Sequence, residues 1–450
     1  MISKLLADAA RRSGHFLEDL DARPVAPSRE ALAALARFEQ PFPEHTSSAE
    51  SVLAELDDIG SPAAMATAGG RFFGFVTGGS LPVTVAANWL ATAWDQNAAM
   101  VVTAPVNAQL EIVAARWLTE IFRLPAHSAC GFVTCATTAN FSALAAARHA
   151  LLARAGWDVE AQGLFGAPPL TVVVGDEVHS SMQKALAMVG FGRDRVVRVP
   201  VDSQGRMRAA ALPPVDDRTI VCVQAGNVNT GAFDPISQIC EHAHANGAWV
   251  HVDGAFGLWA AAAPEFAHLT DGIGDADSWG TDAHKWLNVP YDSGLVFVRD
   301  AAALRAALSA GGAYISQSEA RIPYQYTPDF SRRARGIEVW AALRQLGRPG
   351  LADLIARTCR YARQFAAGLS SAGCQVLGEV VLNQVLVSFG DAQRTREVIR
   401  RVQEEGSCWC GGTVWQGHVA MRISVSSWAT TDADVERSLE AIIRVAGETR

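Results

Sequence analysis

Short apolar runs rich in β-branched residues alternate with alanine-rich helical stretches between about residue 75 and residue 300. Each run is apolar along its whole length and therefore typical of a strand buried on both faces. Strands separated by helices predict an α/β domain with a parallel sheet covered on both sides, and its ligand site is expected at the carboxyl ends of the strands. The predicted strands are Gly131 to Thr134, Leu170 to Val174, Thr219 to Gln224 and Ala248 to Val252.

The pattern changes on either side of this region. Residues 1–70 predict helices joined by proline-bearing connectors, with too little apolar surface to stand alone, so this segment is expected to pack on a second subunit. Residues 71–342 form the predicted large domain. Residues 343–450 predict a smaller α+β domain, with long helices, alternating strands and a closing helix.

Composition excludes several classes of function. The net charge of −8 and the pI of about 5.8 disfavour nucleic-acid binding, and the arginines form no basic run. No apolar stretch reaches the roughly 18 to 20 residues that span a bilayer, and the first residues do not resemble a secretion signal. The eight cysteines form no zinc-binding pattern and are typical of reduced thiols. We therefore expect a cytoplasmic enzyme without a metal or a membrane partner.

Lys285 is one of only three lysines in the chain, with Lys4 and Lys184. Unlike arginine, a lysine can lose its proton and act as an amine nucleophile. Its neighbours, His284 and Trp286, predict a partly desolvated side chain with a lowered pKa, on a loop that follows Asp277 and Ser278. An amine in that setting can form a Schiff base with an aldehyde cofactor; a solvated surface lysine is the alternative.

Three further features follow predicted strands. Asp253 is followed by small residues, so its carboxylate is expected to meet a cation, although capping of a turn would also explain it. The segment Thr134 to Thr138 precedes a helix whose free amides suit a phosphate. His179 could stack on a flat ring, or be structural. An acid, an amine, a phosphate seat and a stacking imidazole together are what pyridoxal 5'-phosphate requires.

The chain resembles the group II pyridoxal-phosphate-dependent amino acid decarboxylases, a fold-type I family that includes the aromatic-L-amino-acid and glutamate decarboxylases. Five ordered motifs carry the resemblance: RFFGFV (71–76), GFVTCATTAN (131–140), HSS (179–181), GAFDP with HVDGAFG (231–235, 251–257) and DAHKW (282–286). The resemblance implies a homodimer with its active site at the subunit interface.

The resemblance also implies roles for individual residues. Lys285 would hold the cofactor, Asp253 would pair with the ring nitrogen, Ala255 would lie beneath the ring and His179 above it. The residues implied on the phosphate side are Ala136, Thr137, Asp282 and His284.

Three positions depart from the family pattern. Asn227 lies where relatives carry a threonine that contacts the ring hydroxyl, so Asn227 or Asn229 is expected to replace it. Asp282 lies where asparagine is common, and its extra negative charge is expected to turn away or meet a nearby donor. Tyr324 is the nearest match to the loop tyrosine that returns a proton to Cα, with Tyr326 as the alternative.

The predicted reaction is decarboxylation of an L-amino acid, with Lys285, Asp253, His179 and Tyr324 as catalytic residues. An aminotransferase, an aldolase or a decarboxylation-coupled oxidative deaminase on the same scaffold is the alternative. An aromatic or bulky apolar substrate is favoured, because several side chains fall where the family builds its substrate pocket. These are Phe72, Phe73, Phe75, Trp94 and, for a carboxylate, Arg422, although each could equally be an ordinary structural residue.

Overall fold

The computed structural model describes residues 2–309 and 321–449. Its α-helices, numbered in chain order, are α1 Ile2–Glu18, α2 Arg29–Ala34, α3 Ala49–Ala63, α4 Pro82–Trp94, α5 Pro105–Ile121, α6 Ala136–Arg154, α7 Val159–Gln162, α8 Ser180–Met188, α9 Ile236–Ala245, α10 Ala301–Leu308, α11 Gly336–Ser371, α12 Ala392–Glu405 and α13 Asp432–Glu448. Helix α11 is kinked at Gly347, where φ is 57°.

The strands form two sheets. They are β1 Ala129–Val133, β2 Thr171–Gly175, β3 Val197–Val199, β4 Thr219–Gln224, β5 Trp249–Asp253, β6 Ser278–Asp282, β7 Gly294–Val298, β8 Gln375–Leu377, β9 Gln384–Ser388, β10 Gly411–Trp415 and β11 His418–Ser424. The first sheet has seven strands in the order β1-β7-β6-β5-β4-β2-β3, and the second has four in the order β10-β11-β9-β8.

The large sheet is mixed and mainly parallel, which confirms the predicted fold class. Strands β3, β2, β4, β5 and β6 pair in parallel, whereas β7 runs antiparallel to both of its neighbours, β6 and β1. Strands β1, β2, β4, β5 and β6 consequently end at the same edge of the sheet. This edge therefore collects the residues that follow those five strands, as the sequence predicts for a ligand site.

The helix α6 packs on this sheet and forms much of its core. Its alanines 139, 143, 146 and 147 are fully buried, and they lie in one hydrophobic cluster with residues of β1, β2, β4 and β7. Small side chains on α6 allow close approach of the helix to the sheet. Because α6 begins at Ala136, three residues after the end of β1 at Val133, its first turn lies at the edge where β1 ends.

The structure adds one strand to the predicted elements. The sequence predicts no strand between Val252 and Lys285, but Ser278–Asp282 forms the buried strand β6, which pairs with β5 and β7. The run SWGTD has no continuous apolar stretch, so strand propensity alone does not reveal it; pairing on both sides supplies the missing stabilisation.

The strand β1 lies at an edge of the sheet and is closed by charged side chains. Arg321 donates to the Cys130 carbonyl oxygen at 2.6 Å, and Arg332 donates to that of Phe132 at 2.9 Å. Both guanidinium groups also pair with the buried carboxylate of Glu111. Burial alone would raise the pKa of Glu111, but the two arginines hold it below its usual value. The backbone acceptors of this edge are thus occupied.

The chain divides into two compact units. One contains residues 80–360 and 378–384 and carries the seven-stranded sheet; the other contains residues 1–79, 361–377 and 385–450. The sequence places boundaries near 70 and 342 instead, and treats the N-terminal helices as a separate segment. In the second unit the N-terminal segment shares a core with a C-terminal residue, because Phe16 of α1 and Leu20 pack in one cluster with Phe72 and Trp409. The Arg71 guanidinium also donates to the carbonyl oxygens of Asp21 and Ser407. Among the described residues, no helix is long and apolar enough to cross a membrane.

Candidate active site

The site lies at the edge of the large sheet where five strands end. Asp253 is the last residue of β5 and Asp282 the last residue of β6. Lys285 follows in the next turn, α6 begins at Ala136 just after β1, and His179 follows β2 at the start of α8. Residues that are far apart in sequence thus converge within one unit of the structure.

Asp253 is held by two donors in a buried setting. Its Oδ2 accepts a hydrogen bond from Asn140 Nδ2 at 3.1 Å, and its Oδ1 accepts from the Ala255 amide at 3.3 Å. Burial raises the pKa of Asp253, whereas the neighbouring charges of His179 and Lys285 act in the opposite direction. A cation placed against this carboxylate would stabilise its ionised form.

A chain of buried hydrogen bonds extends behind Asp253. A carboxylate can only accept, so the Asn140 atom that faces it is the amide nitrogen, and Asn140 Oδ1 accepts from His251 Nε2 at 3.1 Å. His251 Nδ1 then accepts from Ser278 Oγ at 2.9 Å, and Ser278 Oγ accepts from Trp249 Nε1, also at 2.9 Å. Every donor in this relay points towards Asp253, which fixes the neutral tautomer of His251.

Glycine at position 280 makes this relay possible. Gly280 lies opposite Asp253 in the pairing of β5 with β6. A Cβ atom at this position would come within 2.6 Å of Asn140 Oδ1. Only a residue without a side chain therefore lets Asn140 reach Asp253 from α6.

The Lys285 side chain points into the site and pairs with Asp282. Its Nζ lies 3.0 Å from Asp282 Oδ2, and the side chain is 19% exposed, against 3% for Asp282. Burial opposes the charge on Lys285, but Asp282 and Asp253 outweigh it and raise its pKa. The predicted lowering of this pKa is therefore wrong for the protein without its cofactor, because two carboxylates lie beside the amine.

The loop that carries Lys285 is anchored by its neighbour. The Trp286 ring is fully buried, and its Nε1 donates to Thr358 Oγ1 at 2.9 Å. His284 Nδ1 accepts from the Ser293 amide at 3.1 Å, and burial lowers the pKa of this imidazole. The tryptophan that follows Lys285 in sequence thus has a structural role, which keeps the amine in place.

Asp282 also contacts the start of α6. Its Oδ1 accepts from the Ala136 amide at 2.5 Å, and His284 Nε2 lies 3.6 Å from the same oxygen. The negative charge of Asp282 therefore has nearby hydrogen-bond donors, as the sequence predicts for this position. The helix α6 has no side-chain cap, and Thr134 and Thr138 lie beside its first turn, with their hydroxyls 2.6 Å apart. Backbone amides and hydroxyls at a helix start make this a seat for an anion.

The aromatic neighbours of the site are His179 and Tyr291. His179 caps α8, where its Nδ1 accepts from the Ser181 amide at 3.2 Å and also contacts Ser181 Oγ. Tyr291 stacks on His284, with ring centroids 4.2 Å apart, and it lies close enough to Lys285 to contribute to the raised pKa of that amine. The sequence indicates His179 but not Tyr291, which lies in a run of ordinary loop residues.

The chemistry of these side chains fits pyridoxal 5'-phosphate. The buried carboxylate of Asp253 is suited to pair with a protonated ring nitrogen, because a cation would offset the cost of its burial. The amine of Lys285, whose pKa is affected by that carboxylate, is suited to bind an aldehyde covalently. The start of α6, where the N-cap residue Cys135 makes no side-chain hydrogen bond, suits a phosphate. Among the described residues, no cluster of three or more His, Cys, Asp or Glu side chains is arranged to hold a metal ion.

Asn227 has partners of its own in the structure. Its Nδ2 donates to Glu177 Oε2 at 3.1 Å, and its Oδ1 accepts from the Asn229 amide at 2.9 Å. Both ends of the amide are engaged in the turn after β4, so a contact with the ring hydroxyl would require one of them to be exchanged. That contact stays a prediction.

The two candidate proton donors are buried in different clusters. Tyr324 packs on Phe330, with ring centroids 4.8 Å apart, and its amide donates to the Ala99 carbonyl oxygen. The ring of Tyr326 lies beneath the Arg321 guanidinium, 4.6 Å from the ring centroid, and belongs to the core around α6. These contacts with Phe330 and Arg321 are unrelated to Lys285, so the proton-donor role of Tyr324 also stays a prediction.

The predicted substrate residues differ in exposure. Phe72 stacks on Trp409 at 5.1 Å and Phe73 packs edge-on against Phe365 at 5.0 Å, both in the core of the unit that contains residues 1–79. In the same unit, Phe75 is 67% exposed, and burial lowers the pKa of Arg422. In the other unit, Trp94 ends α4 and is 45% exposed. Phe72 and Phe73 thus pack within the core of their own unit, and the substrate-binding roles of these residues stay predictions.

Comparison with known proteins also indicates a pyridoxal-dependent enzyme. A family model described as the pyridoxal-dependent decarboxylase conserved domain matches residues 32–389. Tryptophan decarboxylase 1 of Oryza sativa subsp. japonica is 25% identical over 473 aligned residues, which cover 96% of this chain and 91% of that protein. The aromatic-L-amino-acid decarboxylase of Bacillus atrophaeus is 28% identical over 315 aligned residues, which cover 67% of this chain and 63% of that protein.

A solved structure shares the fold over the full length. The crystal structure of Oryza sativa TDC with PLP and tryptamine superposes with a TM-score of 0.91 and 23% identity, and the match covers 99% of this chain and 98% of that chain. The predicted fold-type I architecture is thereby confirmed.

Proposed function

The chain belongs to the pyridoxal-dependent decarboxylase family, and from that premise we propose that it removes the α-carboxyl group of an aromatic L-amino acid to give the amine and CO₂. The family confirms the predicted enzyme class, a carboxy-lyase that depends on pyridoxal 5'-phosphate. The aromatic substrate is proposed because the relatives described above are named for tryptophan and for aromatic L-amino acids.

The proposed roles of the site residues follow from their contacts. When bound, the cofactor supplies an aldehyde for covalent attachment and a protonated ring that accepts electron density from the substrate. Lys285 would hold the cofactor through its Nζ, and Asp253 would pair with the ring nitrogen. Ala255 and His179 would contact the ring, and Thr137 with the other first-turn residues of α6 would hold the phosphate.

The buried relay behind Asp253 is the observation that carries this proposal. Asn140 and His251 hold the carboxylate in one orientation. In this arrangement Asp253 would keep a cationic ring nitrogen protonated, and the ring could then accept the negative charge that departure of CO₂ leaves on Cα. His251 stays neutral within the relay, because burial lowers its pKa to about 3.

The direct test is product analysis with the cofactor-loaded enzyme. We expect amine and CO₂ in equal amounts from L-tryptophan, L-tyrosine or L-phenylalanine, and none from L-glutamate. A keto acid would indicate an aminotransferase, and an aldehyde with ammonia and peroxide would indicate oxidative deamination. Either of these products, without amine, would contradict the proposal.

Two lysine variants give a matched pair. Lys285→Ala should abolish both CO₂ release and covalent retention of the cofactor, which mass spectrometry detects after borohydride reduction. Lys184→Ala is the control, because Lys184 is exposed on α8 and should leave both measurements unchanged. Equal activity of the two variants would refute the role of Lys285.

We also propose that the protein is a homodimer in the cytoplasm. Large apolar side chains are exposed on α4 and α5 and between them: Trp89, Leu90, Trp94, Val101, Val102, Val106 and Ile112. A face of this kind favours association. The segment 1–70 carries exposed Leu6, Phe42 and Leu56, which we propose pack on the second subunit. The eight free cysteines suit a reducing compartment.

The oligomeric state is tested by light scattering coupled to size-exclusion chromatography. Val102 is 85% exposed, so Val102→Glu should lower the mass from that of two chains towards one, while the circular dichroism stays that of a folded protein. The control Val197→Glu alters a partly exposed valine at the start of β3 and should leave the mass at two chains. A wild-type mass of one chain would contradict the proposal.

A further inference from the structure

The two carboxylate oxygens of Asp282 have partners in the two elements that the cofactor needs. Oδ1 accepts from the Ala136 amide, the first amide of α6, at 2.5 Å. Oδ2 lies 3.0 Å from Lys285 Nζ. The proposed phosphate seat and the proposed attachment amine are therefore both engaged by one side chain of this chain.

A carboxylate in this position acts on the helix start as a phosphate would. The first amides of α6 have no partner within the helix, and a negative charge there is stabilised by the helix dipole. Asp282 supplies that charge from the end of β6, and it is 3% exposed, so solvent screens it weakly. A phosphate at the same helix start would meet an anion that is already in place.

We propose that Asp282 is a built-in anion that competes with the cofactor's phosphate for the start of α6, and that it lowers the affinity of the protein for phosphorylated forms of vitamin B6. The carboxylate stabilises the cofactor-free protein, and it must give up its hydrogen bond with Ala136 when the phosphate binds. This inference rests on the proposed cofactor site.

The charges around Asp282 set the size of the effect. Lys285 offsets it at 3.0 Å, and His284 Nε2 lies 3.6 Å from Oδ1. Asp253 adds a second negative charge, and Asp292 acts on the pKa of His284. His179, Tyr291 and the thiol of Cys135 are further titratable groups at this edge. Because Lys285 stays paired as long as it does not react, the competition is best measured with a ligand that cannot bind it covalently.

The experiment titrates the cofactor-free protein with pyridoxamine 5'-phosphate, which has the ring and the phosphate but no aldehyde, at pH 8, where the phosphate is a dianion. Asp282→Asn removes the charge and keeps the size of the side chain. Two like charges that share one site typically shift a pKa by about one unit or more, which corresponds to roughly ten-fold in affinity. We expect Asp282→Asn, and Asp282→Ser as a second neutral variant, to bind about ten-fold more tightly than the wild type.

A charge-matched control separates local from general electrostatics. Asp271 is exposed and follows a short 3-10 helix, so Asp271→Asn makes the same change in net charge and should alter the affinity less than two-fold. Without ligand, Asp282→Asn should melt at a lower temperature than the wild type, because Lys285 and the start of α6 lose a negative charge beside them, and the gain in melting temperature on binding should be larger.

Two results would overturn the inference. Equal or weaker binding by both neutral variants would show that Asp282 assists the phosphate rather than competing with it. If neither the wild type nor any variant bound pyridoxamine 5'-phosphate, the proposed cofactor site itself would fail and the inference with it. The two failures are distinguishable, because only the second affects the wild type.

Discussion

The buried relay predicts a specific acid sensitivity of the fold that depends on His251. This imidazole is fully buried and hydrogen-bonded at both nitrogens, to Ser278 Oγ and to Asn140 Oδ1. Burial lowers its pKa from 6.5 to about 3, so it stays neutral in the folded protein while the unfolded chain takes up a proton. Its stabilising contribution is complete above pH 6.5 and is lost as the pH falls towards 3.

The magnitude follows from the two pKa values. At pH 8 both states are neutral. At pH 5 the imidazole is almost fully protonated in the unfolded chain and almost fully neutral in the folded protein. This pH lies about 1.5 units below the unfolded pKa of 6.5, and over that interval only the unfolded state gains a proton. At 1.36 kcal/mol per unit, the free energy of unfolding falls by about 2 kcal/mol between pH 8 and pH 5 because of this group alone.

The test replaces the imidazole with a side chain that cannot be protonated. His251→Gln retains a donor for Asn140 but does not titrate, so its free energy of unfolding should change between pH 8 and pH 5 by about 2 kcal/mol less than that of the wild type. Urea unfolding followed by circular dichroism measures both proteins at the two pH values. His268→Gln, at an exposed position, is the control. The reasoning is refuted if the two variants show the same pH dependence.

Three further predictions follow from single contacts. Asn140→Ala removes the hydrogen bond to Asp253 and should lower kcat at least ten-fold while KM changes little; steady-state kinetics measures both, and an unchanged kcat would contradict the relay. Gly294→Ala places a Cβ within 2.7 Å of the Cys135 backbone and should destabilise the protein by about 2 kcal/mol in urea unfolding; a loss below about 0.5 kcal/mol would show that β7 can shift away from α6. Arg332→Met leaves Glu111 with one cation fewer and should cost about 3 kcal/mol or more, of which the double variant Arg332→Met/Glu111→Leu recovers part; no recovery would mean that the buried charge is not the cause.

Much of the fold could be predicted from local patterns. The buried strands β2, β4 and β5 and the helices α6, α8 and α9 lie within a few residues of the predicted elements, because continuous apolar runs and alanine-rich stretches are strong local signals. Strand β6 was missed for the opposite reason. Its residues, SWGTD, become a strand only through pairing with β5 and β7, and no local signal reports such pairing.

The relay could be predicted only in part. Asn140 and His251 are polar residues inside apolar runs, and that contrast marks them as special, but it does not say which partner each would meet. Asn140 and Asp253 are 113 positions apart, and their contact depends on α6 lying across β5 and on Gly280 leaving space. Tyr291 had no sequence signal, since only the fold of its loop stacks it on His284.

The sequence by itself determined the family and the cofactor, and it leads to the proposal that Lys285 is the reactive amine, because the motifs around Lys285, Asp253 and His179 are local and their chemistry belongs to the residue types. Only the tertiary structure revealed the raised pKa of Lys285 and the contact of Asp282 with the start of α6 on which the proposed competition rests. Both depend on distances between Asp282, Lys285 and Ala136, and electrostatic interactions are set by separation in space and by burial, neither of which a linear order of residues contains.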